Sequence, residues 1–177
     1  MNKWWRSILF ALAMVAGQVF LFNNVQLRGI LDSFVAPCVY IFYILLLPMG
    51  ISKINLLLVS FALGLAVDFL SGTLGQNTAA CVLIGFIRPS VVKLFIASKE
   101  DSGKGLRPTI YALGMYRFLL YALILTFTFH VALFFLEIFT LHQAYFTLLR
   151  ALLSSVAAAV IMIILEIFFE KRDKRHR

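Results

Sequence analysis

The side chains with chemistry to do in this sequence are ionisable groups set inside apolar runs. Asp68 closes a helical run in which Ser60, Gly64 and Asp68 are four residues apart, and so share one face. A turn of small residues follows (Ser71, Gly72, Thr73, Leu74, Gly75), then a polar re-entry at Gln76, Asn77 and Thr78. Glu137 lies near the end of a later run and Arg150 near the start of the next. Arg88, Arg117 and Glu166 sit toward the ends of other runs. Each such group costs about 2.5–3.5 kcal/mol near a helix centre. The Asp68 face is therefore expected to look into protein, where small residues let a second backbone approach. Catalytic patterns are missing. His130, His142 and His176 share no ligand spacing, and there is no HExxH, CxxC or phosphate-binding glycine loop. Ser71 is close to Asp68 in sequence, but nothing supplies a base and an oxyanion site. No enzymatic activity, cofactor or metal is expected. Cys38 and Cys81 are isolated in apolar runs and read as packing residues.

The elements that must position these groups are membrane helices. Of the 177 residues, 62% are hydrophobic and 14% charged, against about half and a quarter in soluble domains. The net charge of +8 sets topology in such a chain. No soluble basic surface is present to bind nucleic acid, and none is expected as a partner. Six apolar runs cover residues 7–22, 34–48, 54–70, 77–96, 113–139 and 146–169, followed by a basic tail at 171–177. The first opens behind a charge-and-tryptophan anchor (Lys3, Trp4, Trp5, Arg6) and holds the small pair Ala13 and Gly17. A signal peptide cleaved near Val15-Ala16-Gly17 is the lesser reading, because residues 18–22 continue the segment. The second run is short: fifteen residues rise roughly 22 Å as a helix. Pro37 falls in its first turn, and Pro48 and Gly50 end it. In the fourth run, Arg88-Pro89 predicts a kink or a stop, with Arg88 either partnered or snorkelling.

The expected fold is an all-α integral membrane protein of six transmembrane helices with both termini cytoplasmic. With that orientation, fourteen of the sixteen lysines and arginines fall inside, Arg28 and Arg150 excepted. Depths can then be compared. Asp68, Glu137 and Arg150 come from three helices at one outer depth, which predicts an outer polar cluster with Arg150 between the two acids. Arg117 and Glu166, with Arg88 as a third member, form the candidate inner cluster. Snorkelling and helix packing are the competing roles for the inner set. No internal repeat of the transporter kind is seen.

The stretch from Gly64 through Asp68, Ser71, Gly72 and Leu74 to Gly75, in a small six-run chain with basic inner ends, resembles the rod shape-determining protein MreD family. The likeness in length and hydropathy covers nearly the whole chain, and the residue-level match lies within about residues 64–88. The family pattern falls on Gly64, Asp68, Gly72 and Gly75, which implies that they shape the turn between the third and fourth helices and contribute a partner contact. Gln76-Asn77-Thr78 departs from the pattern, since an apolar helix often resumes sooner. The resemblance implies a non-enzymatic component of bacterial cell-wall elongation in the cytoplasmic membrane. Its implied partner is an MreC-type scaffold and, through it, the MreB filament, a RodA-type glycan polymerase and a class B penicillin-binding protein. It also implies a fold similar to the substrate-capture subunits of energy-coupling-factor transporters. The alternative function is thus a solute-binding subunit of a vitamin-type transporter. An ion-coupled carrier using Asp68 is weaker, because no second buried acid lies near the midplane. The basic tail is compatible with membrane lipid.

Overall fold

The structure, a computed structural model, describes residues 3–19, 35–96, 106–138 and 144–174, with the backbone alone for 3–8 and 169–174. The loop containing Arg28, most of the charged loop after residue 96, and the last tail residues lie outside this set. The regular elements among the described residues are all helices: α1 (Lys3–Gly17), α2 (Phe42–Leu45), α3 (Lys53–Ser71), α4 (Gln76–Phe95), α5 (Ile110–Leu113), α6 (Met115–Ile138) and α7 (Ala144–Lys174). Four of them, α3, α4, α6 and the Ala144–Phe168 part of α7, are long and apolar enough to cross a membrane. The helix α7 continues to Lys174, so the first residues of the basic tail are helical.

Local chemistry fixes the ends of α3 and α4. Ser52 caps α3, its Oγ accepting the Asn55 N–H at 3.2 Å. Gly72 ends the helix in the left-handed conformation, φ 68°, and the Thr73 N–H returns to the Asp68 carbonyl at 3.0 Å. Gly75, also left-handed at φ 79°, opens α4. The two helices then pack along the face anticipated from Ser60, Gly64 and Asp68. A Cβ on Gly64 would lie 2.5 Å from the Thr78 Cα, and one on Gly85 would collide with the Ser60 side chain. By contrast, Ala13 is exposed and no described residue approaches a Cβ on Gly17 within 4 Å, so that small pair mediates no close packing among the described residues.

Helix α4 does not stop at Pro89 but runs on to Phe95. Its Arg88 face meets α6, where Arg88 Nε bonds Tyr121 Oη at 3.0 Å and the Phe95 ring contacts the Tyr121 ring. Helices α6 and α7 run antiparallel, with Thr126 beside Ser155 and Glu137 beside Arg150.

The second apolar run departs from the expected helix. Between residues 35 and 47 only the single turn α2 is helical. Tyr40, Ile41, Phe42, Ile44 and Leu45 are nevertheless fully buried. Cys38 bonds His130, and Leu45 bonds Tyr121 on the same helix. The segment lies along α6 from His130 to Tyr121 but is mostly outside regular helix. Pro37 and Pro48 favour this, because each biases the residue before it toward extended backbone.

Gly64→Val is expected to destabilise the protein by about 1–3 kcal/mol through forced separation of α3 from α4. Gly17→Ala should stay within about 0.5 kcal/mol of the parent. Ser60 Oγ is buried without a hydrogen bond among the described residues, so Ser60→Ala should be neutral or stabilising by up to about 1 kcal/mol. Thermal unfolding of the three purified variants in one detergent checks the ranking.

Candidate functional site

A non-helical stretch inside an apolar bundle leaves N–H and C=O groups without intrahelical partners. In this protein, polar side chains from four other elements supply them. Near its start, the Ala36 N–H donates to Ser154 Oγ of α7 at 3.0 Å. Gln18, just after α1, accepts the Val39 N–H through Oε1 at 2.8 Å and reaches the Pro37 carbonyl through Nε2 at 3.4 Å. His130 of α6 lies 2.7 Å from the Thr126 carbonyl through Nδ1. In the tautomer that donates there, its Nε2 accepts the Cys38 N–H at 3.3 Å.

The end of the segment is held by Arg88. Its Nη2 donates to the Leu45 carbonyl at 3.1 Å and, more closely, to the Leu47 carbonyl. Tyr121 Oη accepts from Arg88 Nε and donates to the same Leu45 carbonyl at 2.9 Å. Arg88 is 1% exposed, which settles the alternative between snorkelling and partnership in favour of partnership. Its partners are carbonyl dipoles and a phenol, with no carboxylate in the set. The planar fork can serve two carbonyls and a ring oxygen together, which an ammonium on a flexible stem does poorly.

Asp68 forms the second centre. Oδ1 accepts the Asn77 N–H at 3.1 Å, Asn77 Nδ2 at 3.0 Å and the Thr73 hydroxyl. Oδ2 accepts the Thr78 N–H at 2.8 Å and Thr78 Oγ1 at 2.6 Å. The N-cap residue of α4 is Gly75, which has no side chain to cap with. A carboxylate from the preceding helix performs that role on the second and third N–H groups, where the helix dipole favours negative charge. The centre joins the non-helical segment through Tyr40, whose Oη donates to Asn77 Oδ1 at 2.8 Å.

The expected outer charge cluster is thereby rearranged. Arg150 and Glu137 do pair, at 3.3 Å, and the Arg150 guanidinium lies 4.2 Å from the Phe134 ring centroid. Asp68 does not join them. Its acceptor directions are filled by α4 and the turn, and residues 38–40 bond His130 on one side and Asn77 on the other. In the inner set, Arg88 faces the segment, Arg117 is exposed and Glu166 is 4% exposed. Equal depth along helices does not fix which way side chains point around them. Gly64 is buried in the α3–α4 contact, while Gly72 and Gly75 are exposed at the turn beside Leu74, which is 97% exposed.

Sequence reasoning missed Gln18, Tyr40, Tyr121 and Ser154 as members of one network. One signal was available. The polar triplet after the turn, Gln76-Asn77-Thr78, is where a carboxylate on the previous helix finds its donors. Among the described residues, no three His, Cys, Asp or Glu side chains converge as metal ligands. No family model, no curated protein and no solved structure matches the chain.

Arg88→Met should destabilise by about 3–5 kcal/mol, since it strips two buried carbonyls and a phenol of their charged donor. Arg88→Lys should recover only part of that loss. Arg150→Glu should be rescued by Glu137→Arg, because those two side chains touch. Asp68→Arg should deepen the defect by removing the α4 cap. Detergent unfolding midpoints of the single and double variants test both statements.

Proposed function

We propose that the protein is a non-enzymatic, six-span component of the bacterial cell-wall elongation machinery, of the MreD type, which binds an MreC-type scaffold. In this reading the mostly non-helical residues 35–47 complete the count of crossings, both termini are cytoplasmic, and the chain resides in the cytoplasmic membrane. The MreB filament, a RodA-type polymerase and a class B penicillin-binding protein are reached through the scaffold. The observation that carries the proposal is the use made of the buried polar groups. Gln18, Asp68, Asn77, Arg88, Tyr121, His130 and Ser154 bond the chain's own backbone or one another. They make a rigid body suited to holding partners. The Gly64, Asp68, Gly72 and Gly75 motif supports it by building a defined turn that presents Leu74.

A vitamin-binding subunit is less well supported. The segment 35–47 brings Tyr40, Phe42, Ile44 and Leu45 into the bundle interior at 0% exposure, where such a subunit would need an open chamber. A carrier that works through Asp68 meets a similar objection, since five donors surround that carboxylate.

Mild-detergent capture of the tagged protein from its native cells, followed by mass spectrometry, tests the proposal. An MreC-like scaffold or a RodA-type polymerase is the expected companion. An ATP-binding-cassette pair or a copurifying vitamin-like molecule, with no wall-synthesis protein, would replace the proposal with the transporter reading. Leu74→Asn is expected to lower scaffold recovery several-fold while leaving the unfolding midpoint unchanged.

A further inference from the structure

The end of the bundle opposite the Asp68 turn gathers exposed cations on a preset corner. Lys53 opens α3, Lys93 lies in the last turn of α4, Arg107 precedes α5 and Arg117 lies in the first turn of α6, all exposed. The Met49 N–H donates to the Leu106 carbonyl at 2.8 Å, which fastens the residues before α5 to those before α3. Thr109 caps α5 by accepting the Ala112 N–H at 3.2 Å, and Leu113 buries its inner side. Gly114, at φ 81°, then bends the chain into α6, with its N–H on the Ile110 carbonyl at 2.7 Å. Outward from this corner stand Tyr111 at 65% exposure and Tyr116 at 72%, with Leu106 and Met115 also exposed. Asp68 and Glu137 belong to the other end of the bundle.

We propose that this corner binds the headgroup of an anionic phospholipid. Arg107 and Arg117 would hold the phosphodiester by charge-assisted, forked hydrogen bonds. Tyr111 and Tyr116 carry amphipathic rings of the kind that sit at headgroup depth, and Leu106 and Met115 meet the upper acyl chain. Charge complementarity selects the ligand. A cationic, aromatic and apolar surface at the end of membrane-length helices fits a phosphate attached to a lipid better than a free anion. The inference stands on membrane insertion alone and is independent of which protein partner is bound.

The full-length protein in mild detergent is titrated with phosphatidylglycerol, phosphatidylcholine and inorganic phosphate. Binding is followed by native mass spectrometry and by the unfolding midpoint. Phosphatidylglycerol is expected to bind preferentially and to raise the midpoint. Arg107→Gln and Arg117→Gln should each weaken its binding about fivefold, and the double variant about 25-fold, at roughly the energy of one headgroup contact per arginine. The midpoint in phosphatidylcholine should not move. Arg117→Gln alone carries the comparison if the double variant does not fold. Equal binding of the two lipids, an equal midpoint shift from inorganic phosphate, or full phosphatidylglycerol preference in the variants would each overturn the proposal.

Discussion

A carbonyl or N–H without a partner inside an apolar bundle costs several kcal/mol. Residues 35–47 carry many of these groups outside regular helix, and the rest of the structure is arranged to satisfy them. Arg88 and Tyr121 take the carbonyls at one end. Ser154, His130 and Gln18 take the N–H groups at the other. Because the donors and acceptors come from α4, α6, α7 and the end of α1, the segment also ties those elements to one another. The buried charge of Arg88 is tolerated because carbonyl dipoles and a phenol replace its hydration.

The α3–α4 hairpin solves a related problem with the opposite charge. The first N–H groups of α4 need acceptors, and the turn that starts the helix requires glycine at φ 79°. Glycine provides the backbone conformation and forfeits the capping side chain. Asp68 restores it from the preceding helix, and the absence of a side chain at Gly64 lets α3 come close enough to do so. The small-residue face and the carboxylate are thus parts of one device. Asn77 extends it to Tyr40, so the hairpin and the non-helical segment share a hydrogen-bonded path.

These arrangements bear on what the protein does. Buried polar groups in a membrane protein commonly mark a substrate or ion path. In this bundle the same residue types bond backbone and one another. Surfaces open to other molecules among the described residues include the Leu74 turn at one end, the basic and tyrosine-bearing corner at the other, and an apolar groove of about 890 Å³ along α3 and α4 lined by Phe61, Leu65, Leu83 and Phe86.

Composition alone pointed to a membrane protein, and hydropathy located the four helices long and apolar enough to span one to within a few residues. Spacing of four placed Ser60, Gly64 and Asp68 on the face that does pack, and the chain order of small residues located the turn. These were legible because burial of apolar surface and helical periodicity are local properties of sequence. The second run was legible as apolar and too short, but not as largely non-helical. Its conformation depends on side chains as distant as Ser154, 118 residues away from Ala36. The outer cluster failed in part for the same reason: depth can be read along a helix, whereas the direction a side chain takes depends on its neighbours. Arg88 had two readings in sequence, and only the tertiary structure, by bringing the Leu45 and Leu47 carbonyls to its guanidinium, decided between them. A buried polar group is defined by the partner it finds, and that partner is supplied by the fold.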